Sequence, residues 1–469
     1  MWLNRAFRPI DNAQLIVFRI FFGLVFIFES VGSLLTGWAK SNTVDPKVNF
    51  TFIGFEWLQH LMGPYMYVHF GLMAIVSVGV MLGYKYRFSI ISLTLLWGCV
   101  YFMQKTSYNN HYYLMLLICL LMCFLPANKY AALDVRNKPE AFTFAMPEWM
   151  RFLFIFQVSC VYIFATIAKF YPDWLDGSVT AIMFRNMDVP EMVKPLFQSE
   201  NFHLFIAYTG IAFDGLIVPA LLWRRTRWFA IIASLIFHIF NSITLKIGVF
   251  PYFALAFSVF FFPPDEIKRF FLRKKPVLTD ELAEKNYSSY RKTFYGFILP
   301  YMIVQFALPW RHHFFKGDVL WNEEGHRLSW RMMLRSRSGE ARFRVVDKET
   351  GEKVVFDNTE LLNRKQRRRL NTPDMIWQMS QFIKAHFAEK GQDVEVYVYR
   401  SSVSINSKKS KRLIDPEVDL AAEKWCHFSH HDWILDENDE RYHQPQKIET
   451  RKLLDLAPRK RKNLSNPPD

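Results

Sequence analysis

The chain has 469 residues, of which 51% are hydrophobic and 17% aromatic, and its formal net charge is +15. These averages combine two unlike parts, since residues 1–309 are dominated by long apolar runs and residues 310–469 resemble soluble protein. A membrane-spanning helix needs about 20 apolar residues. The chain is therefore predicted to be an integral membrane protein, and much of its positive charge follows from membrane topology rather than from nucleic-acid binding. The five cysteines do not form a recognisable disulfide framework.

The first part contains about nine apolar runs that are predicted to span the membrane. No cleavable signal peptide is expected, because residues 1–12 are largely polar and the first run continues without a small-residue cleavage site. The predicted fold class is a polytopic α-helical membrane protein followed by a soluble mixed α+β C-terminal domain. The predicted spans are 14–38, 65–84, 88–104, 111–127, 151–168, 203–223, 229–245, 248–263 and 294–309.

The basic residues in the loops predict the topology. With the N-terminus in the cytoplasm, the segments on that side carry 19 Lys and Arg residues, and those on the other side carry seven. Cytoplasmic loops of membrane proteins are enriched in Lys and Arg. Residues 310–469 are therefore predicted to be extracytoplasmic, in the periplasm of a bacterium or the lumen of the endoplasmic reticulum of a eukaryote. Lys169 and His111 then lie at the outer ends of different spans.

The soluble part is predicted to mix strands and helices. The stretch "ARFRVVDKETGEKVVFD" is typical of a hairpin with Gly351 in its turn, and "DVEVYVYRSSVSI" of a further strand. Thr372 and Pro373 open a predicted helix that ends at Gly391. The predicted domains are a transmembrane catalytic domain at 1–309, an extracytoplasmic α+β domain at 310–455 and a disordered tail at 456–469.

Few polar residues lie within the apolar runs, and because each is costly in a membrane, each is a candidate for function. Arg19 and Asp214 are functional groups or members of a structural ion pair, since buried charges need partners. Gln157 is an uncharged companion within the spans. Glu29 and His69 are expected near the membrane surface.

Lys169 ends an uncharged apolar run and is soon followed by Asp173 and Trp174. In one interpretation its side chain extends to the lipid headgroups, as lysines at the ends of spans often do. In the other, a low-dielectric site favours the neutral amine, which can then act as a base near neutral pH. The choice depends on the surroundings of the side chain.

Two histidines lie close to amide side chains. His238, in "LIFHIFNSITLKIGVFPYF", shares a helix face with Asn241. A buried histidine more often serves the protein core than catalysis, so both interpretations stay open. His111, in "KTSYNNHYYL", stands at a helix entrance, where capping by Ser107 or Asn109 is the structural alternative.

Two motifs of the soluble part carry weaker signals. "CHFSHHDW" contains potential metal ligands but lacks the paired spacing of a zinc site. "NRKQRRRL" could bind nucleic acid, but outside the cytoplasm a solvated basic helix or a contact with an anionic surface is favoured. Neither a Gly-rich phosphate loop nor a Ser or Cys nucleophile signature is present. No metal site and no nucleic-acid partner are predicted.

Several stretches taken together resemble the vitamin K-dependent gamma-carboxylase family. "KTSYNNHYYL" is similar to that family's KTSWNNHSYL, and "IAKFYPDWLDG" to its VKKLDADWVEG. "FHIFNSITLKIGVFPY" is similar to its F-H-x-x-N-S-x-x-F-x-I-G-M-F-x-Y. The resemblance continues in "GHRLSWRMMLRSRSG" and "SVSINSKKSKRLIDPEVDL" and covers nearly the whole chain.

The resemblance implies an enzyme that oxidises vitamin K hydroquinone with O₂ to the epoxide. In that family the reaction passes through a strongly basic vitamin K alkoxide, which removes a γ-proton from a peptide glutamate, and the carbanion adds CO₂. Lys169 matches the base that deprotonates the hydroquinone, and His111 matches a histidine tied to carboxylation. Asn110 and His238 match polar residues of the same region. The predicted substrate or quinone pocket consists of Asn110, Asn109, His238, Asn241 and Trp174.

The chain also departs from the family pattern. Where the family has two adjacent lysines, this chain has Ala168 and Lys169, so the second lysine is retained. Animal members extend further at the C-terminus, which puts propeptide recognition in doubt. Three functions are weighed: a complete carboxylase with an exported glutamate-containing substrate protein, a quinone epoxidase without protein carboxylation, and a non-catalytic membrane scaffold that binds lipid or protein. The three residues Lys169, His111 and His238 together argue against the scaffold.

Overall fold

The computed structural model describes residues 5–185, 187, 189–245, 248–279 and 288–438. The chain forms two compact units. The first consists of Met1–Arg311 together with Arg327–Leu334, and the second of His312–His326 together with Arg335–Asp469. The segment Arg327–Leu334 thus belongs to the first unit although it follows part of the second in sequence.

The first unit is helical. Its helices are α1 Ala13–Leu35, α2 Tyr65–Leu82, α3 Tyr86–Met103, α4 Asn110–Met122, α5 Glu148–Ala168, α6 Pro172–Leu175, α7 Ser178–Phe184, α8 Lys194–Phe197, α9 Glu200–Leu222, α10 Arg227–Leu245, α11 Phe250–Ala256, α12 Pro264–Phe271, α13 Ser288–Thr293 and α14 Leu299–Ala307. A π-helical turn before α14 and a 3₁₀ turn after it complete the apolar segment Tyr290–Phe314.

Within the described part of the chain, seven helical segments are long and apolar enough to cross a membrane. They comprise α1, α2, α3, α5, α9, α10 and Tyr290–Phe314. The runs predicted at 111–127 and 248–263 form shorter apolar helices, Asn110–Met122 and Phe250–Phe261. Prolines follow both of these helices closely and oppose their continuation. The predicted polytopic helical membrane protein with a soluble domain is confirmed, with seven full-length candidate spans among the described residues rather than about nine.

A buried arginine fixes the packing of α1. Arg19 is fully buried and donates hydrogen bonds to the carbonyl oxygens of Ala127 at 3.1 Å and Ala131 at 2.6 Å. Gly83 ends α2 with a φ of +62°, and a Cβ at that position would collide with the Arg19 guanidinium. Arg19 therefore links α1 to the chain that follows α4, through carbonyl acceptors.

Aromatic stacking holds α1 and α5 together. The ring of Phe154 on α5 stacks on Phe260 with centroids 4.2 Å apart, and Phe18 of α1 lies within 5.0 Å of both. Such ring pairs contribute beyond their buried area. This packing fixes α5, whose C-terminal end carries Lys169.

Short strands tie the N-terminus to the start of α5. Strand β1, Pro9–Asp11, pairs antiparallel with β2, Ala145–Pro147. The buried carboxylate of Asp11 accepts from Nζ of Lys275 at 2.8 Å and lies 3.5 Å from Nζ of Lys268. This local charge pairing satisfies groups that burial would otherwise penalise.

The second unit contains a three-stranded antiparallel sheet. Its strands are β3 Arg337–Asp347, β4 Lys353–Phe356 and β5 Val394–Ile405, in the order β4-β3-β5. Its helices are α15 Val319–Asn322, α16 Arg364–Arg369 and α17 Pro373–Ala388. Helix α17 packs against β5 through a buried stripe at helical spacing, formed by Ile376, Met379 and Ile383.

The predicted hairpin is confirmed by β3 and β4, with Gly351 in the turn at a φ of +69°. The predicted helix begins at Pro373, but the Thr372 hydroxyl donates to Oδ1 of Asp374 at 2.9 Å instead of accepting from the helix backbone. The predicted disordered tail, 456–469, lies outside the described residues.

Candidate functional site

The end of α5 places a lysine inside the helical unit. Lys169 directly follows α5 and is only 6% exposed. Its Nζ forms an ion pair with Oδ2 of Asp214 on α9 and donates to the carbonyl oxygen of Ala165 at 3.3 Å. Asp214 is equally buried. The ammonium group is therefore held by protein atoms and is not directed into water.

Short helices after α5 bring an indole ring to this lysine. Pro172 opens α6, and Gly177, with a φ of +79°, precedes α7. Nζ of Lys169 lies 5.4 Å from the ring centroid of Trp174, whose Nε1 donates to the carbonyl oxygen of Ala207 at 3.1 Å. The face of an indole attracts a cation electrostatically. Trp174 thus forms an aromatic wall beside the amine.

Tyr162 connects the lysine end of α5 to α10. Its hydroxyl lies 3.2 Å from Nε2 of His238. Phe213, the neighbour of Asp214 on α9, packs against both rings, with centroids 6.0 Å from Tyr162 and 5.9 Å from His238. Nδ1 of His238 is buried and has no hydrogen-bond partner among the described residues. An unpaired buried polar atom costs free energy, so a hydrogen-bonding ligand at this nitrogen would be favoured.

Phe250, the first residue of α11, contacts both predicted histidines. Its ring centroid lies 6.0 Å from that of His238 and 5.2 Å from that of His111. The ring of His111 also packs against Tyr112 at 4.9 Å. The Tyr112 hydroxyl donates to Oε1 of Glu29 at 2.7 Å. Glu29 is therefore buried within the protein, at 7% exposure, with a phenol as the partner of its carboxylate, and its expected position near the membrane surface stays a prediction.

The two asparagines before His111 have different tasks. Asn109 is the N-cap of α4, and its Oδ1 accepts from the backbone N–H of Tyr112 at 2.8 Å. Asn110 accepts from the Tyr108 hydroxyl at 3.0 Å and donates to the carbonyl oxygen of Arg331 at 3.1 Å. The capping role thus belongs to Asn109, and it does not require the neighbouring imidazole.

The segment Arg327–Leu334, here called the strap, has an unusual backbone. Leu328, Trp330 and Met333 have φ values of +62°, +56° and +52°. This left-handed conformation costs a residue other than glycine about 1–2 kcal/mol. Such strain persists only where the surroundings impose it, and it often marks a functional segment.

The strap touches both halves of the site. Asn110 binds the carbonyl oxygen of Arg331 on one side. On the other, the hydroxyl of Tyr171, two residues after Lys169, donates to the carbonyl oxygen of Leu334. The strap carries no local sequence signal of its own, although its motif "GHRLSWRMMLRSRSG" belongs to the family resemblance.

Other predicted residues lie at varying places in the unit. Arg19 and Asp214 do not pair with each other, because Arg19 binds carbonyl oxygens and Asp214 binds Lys169. Asn241 is half-buried, one turn beyond His238 on α10. The structure therefore joins Asp214 to the lysine, a pairing that the sequence alone could not select.

Gln157 lies on α5 and is fully buried. Its Oε1 accepts a hydrogen bond from the Tyr301 hydroxyl, and its Nε2 has no partner among the described residues. Gln157 therefore links α5 to α14 through a polar contact inside the unit.

In the second unit, "CHFSHHDW" packs around a carboxylate. Oε2 of Glu324 lies 2.6 Å from Nδ1 of His430, and Oε1 lies 3.1 Å from Nδ1 of His431. Nε2 of His431 accepts from the backbone N–H of Cys426 at 3.0 Å, and Trp425 stacks on the same imidazole. No cluster of three or more His, Cys, Asp or Glu side chains within the described residues could hold a metal ion. The motif here organises the local fold.

The basic motif "NRKQRRRL" forms α16 and is capped reciprocally. Oδ1 of Asn363 accepts from the backbone N–H of Gln366 at 3.0 Å, and Oε1 of Gln366 accepts from that of Asn363 at 3.0 Å. This arrangement satisfies two helix-end donors. Arg364 and Arg368 are exposed, as in a solvated basic helix.

Comparison with known families gives two matches. Residues 7–265, more than half of the chain, match the model of the HTTM domain. Residues 290–440 match the model described as the lumenal domain of vitamin K-dependent gamma-carboxylase. No solved structure gives a significant match to the chain. The first match covers most of the helical unit, and the second covers the last apolar segment, Tyr290–Phe314, together with the sheet-containing unit.

Proposed function

Because the chain belongs to the vitamin K-dependent gamma-carboxylase family, we propose that it couples oxygenation of vitamin K hydroquinone to carboxylation of protein glutamate by CO₂. Lys169 is the proposed base for the hydroquinone, and His111 serves the carboxylation half-reaction. The observation that carries the proposal is the burial of Lys169 between Asp214 and the ring of Trp174.

The environment of Lys169 suits proton transfer at Nζ. A hydroquinone hydroxyl is a weak acid, so its base must be a neutral amine. In the resting protein Asp214 pairs with Nζ of Lys169 and holds it in place. The pair therefore orients Nζ in the resting protein, and the proton must leave Nζ before Lys169 can accept another.

The residues of the candidate site fit a quinol head group. Trp174 and Phe250 provide aromatic surfaces, and Nδ1 of His238 is an unpartnered polar atom in the described site. Vitamin K hydroquinone, when bound, supplies with O₂ the strong base that abstracts the γ-proton of glutamate. The role of His238 is to hydrogen-bond a ligand oxygen, and the apolar helices exclude water, which would quench such a base.

His111 is assigned to the glutamate side of the reaction. It shares Phe250 with His238, so it is close to the proposed quinol pocket without belonging to the lysine pair. An imidazole N–H can hydrogen-bond a carboxylate and hold the γ-carbon in place, and such positioning contributes to catalysis. The neighbouring Asn110 fixes the strap beside it.

The protein is an integral membrane protein, and we propose that its N-terminus is cytoplasmic and its second unit extracytoplasmic. The excess of basic residues in the predicted cytoplasmic segments supports this topology. The description of the second family model as a lumenal domain agrees with it. The substrate is then an exported protein that presents glutamate on the extracytoplasmic side, while membrane lipid surrounds the helices and delivers the quinone.

A paired assay tests the proposal. Purified protein in lipid nanodiscs receives reduced vitamin K, a short Glu-containing peptide and labelled CO₂, and epoxide and peptide label are measured together. Wild type should form both products, Lys169→Ala neither, and Lys194→Ala both. Lys194 is a matched control because it is a solvent-exposed lysine paired with Glu191. Epoxide without label would favour the epoxidase alternative, and neither product from wild type would favour a non-catalytic scaffold.

A further inference from the structure

A second polar cluster lies in the first unit where α3 ends and α4 begins. The ring of Tyr101 is 6.4 Å from that of Tyr108 and 6.3 Å from that of Tyr113. Tyr113 in turn stacks on the strap residue Trp330 at 4.9 Å. Three phenols thus gather beside the strained segment of the strap.

Two guanidinium groups adjoin these phenols. Nη2 of Arg311 donates to the carbonyl oxygen of Arg327 at 2.6 Å, and the guanidinium of Arg327 lies 5.9 Å from the ring centroid of Tyr108. Both arginines are thus joined to the phenols through Tyr108 and the strap. The cluster therefore concentrates positive charge and hydrogen-bond donors in one region of the helical unit.

Among the described residues, no carboxylate forms an ion pair with Arg311, and its Nε is buried without a hydrogen-bond partner. The hydroxyl of Tyr101, a residue only 4% exposed, also has no partner among them. A half-buried cation without a counter-ion and a buried phenol without an acceptor are both costly. A bound carboxylate would supply an acceptor to either group.

We propose that Arg311 and the Tyr101 hydroxyl bind the side-chain carboxylate of the glutamate that is to be carboxylated. The assignment rests on the proposed function and extends it to substrate recognition. The guanidinium presents a planar fork that matches a carboxylate, and the phenol adds one donor. A glutamine side chain, which is neutral, would be rejected because it leaves the cation unpaired.

The connections of the cluster favour a peptide carboxylate over a phospholipid headgroup. The hydroxyl of Tyr108 donates to Asn110, the residue before His111, and accepts from the backbone N–H of Leu328 in the strap. The cluster is thus hydrogen-bonded to the segment that carries the proposed carboxylation residue. A site for a structural lipid has no need of that connection.

The test measures binding without catalysis. Protein in zwitterionic nanodiscs, with no quinone or CO₂ present, is titrated with a fluorescent blocked pentapeptide carrying one Glu and with the same peptide carrying Gln. Wild type should prefer the Glu peptide, and Arg311→Gln should lower its affinity for that peptide by about 10- to 100-fold without affecting the Gln peptide. Arg185→Gln, which removes an exposed charge, should bind as wild type does.

Tyr101→Phe provides a second variant in case Arg311→Gln does not fold, and it should weaken Glu-peptide binding several-fold. Equal binding of Glu and Gln peptides by wild type, or an unchanged preference in both variants, would overturn the proposal. A third result would also overturn it. If anionic phosphatidylglycerol in the nanodisc displaces the Glu peptide from wild type but has no effect on Arg311→Gln, the site binds a lipid headgroup.

The outcomes separate this inference from the proposed function. If wild type prefers the Glu peptide and loses the preference with Arg311→Gln, but fixes no CO₂, recognition stands and catalysis fails. If wild type carboxylates the peptide and Arg311→Gln leaves the KM for the peptide unchanged, catalysis stands and the recognition site is elsewhere. Epoxide formation without peptide should be the same in both proteins.

Discussion

The ammonium group of Lys169 and the carboxylate of Asp214 form a buried ion pair between the end of α5 and the middle of α9. Removing two charges from water costs about as much as their attraction returns, so the pair as a whole adds little stability. Each member nevertheless depends on the other. The pair therefore has consequences for both stability and proton transfer, and these can be measured separately.

Breaking the pair on one side should destabilise the protein. Asp214→Leu leaves the Lys169 cation unpaired in a buried site and should cost about 3–5 kcal/mol, as should the reverse change Lys169→Met. The double variant removes both charges and should recover most of the loss. Thermal unfolding in nanodiscs measures the stability of all three variants. Lys194→Met is the control, because it breaks an exposed ion pair that contributes less than about 1 kcal/mol. Additive losses in the double variant would mean that the charges do not interact.

Replacing Lys169 by arginine should separate the structural role from the chemical one. A guanidinium can still pair with Asp214, but it stays protonated at all accessible pH values and cannot act as a base. Lys169→Arg should therefore melt near the wild-type temperature and yet form no epoxide, whereas Lys169→Ala should lose both. Small primary amines at high concentration should restore part of the epoxide formation of Lys169→Ala. Wild-type epoxide formation by a folded Lys169→Arg protein would exclude Lys169 as the base.

The sequence predicted much of the architecture because its signals are local. Bilayer-length apolar runs identified the helices, and period-two runs around Gly351 identified the hairpin. The apolar runs 111–127 and 248–263 predict helices that are too long, because the apolar composition continues past the points where the helices end near prolines. Local composition does not determine where a helix terminates within an apolar stretch.

The composition of the site was only partly predictable. Their motifs make Lys169 and His111 candidates, whose roles stay predictions, but the pairing of Lys169 with Asp214 depends on how α5 packs against α9. Phe250 was missed because one phenylalanine among 46 carries no signal of its own. The strap was missed because residues with positive φ that are not glycine give no sequence indication of that conformation.

Cys426 offers a test of topology. It is exposed in the second unit, and a hydrogen bond from Ser429 lowers the pKa of its thiol. A lower pKa means more thiolate at neutral pH. The labelling rate with maleimide should therefore reach half its maximum at a pH below about 8.5, the ordinary pKa of a thiol. A membrane-impermeant maleimide should therefore label intact spheroplasts quickly, and Cys426→Ser should abolish that signal. Labelling of Cys426 only after permeabilisation would place the second unit in the cytoplasm.

His111 and Asn109 form a matched pair for separating catalysis from helix capping. Asn109 caps α4 through the Tyr112 N–H, whereas the ring of His111 packs against Phe250. Asn109→Ala should lower stability by about 1 kcal/mol, the usual effect of a lost cap, and should reduce epoxide and carboxylated product equally. His111→Ala should leave the melting temperature nearly unchanged and reduce carboxylation far more than epoxide formation, because positioning of the glutamate is lost while the base remains. Both products and the melting temperature are measured on the same preparation of each variant. If His111→Ala instead reproduces the parallel losses of Asn109→Ala, the imidazole serves the fold of the helix entrance and has no separate part in carboxylation.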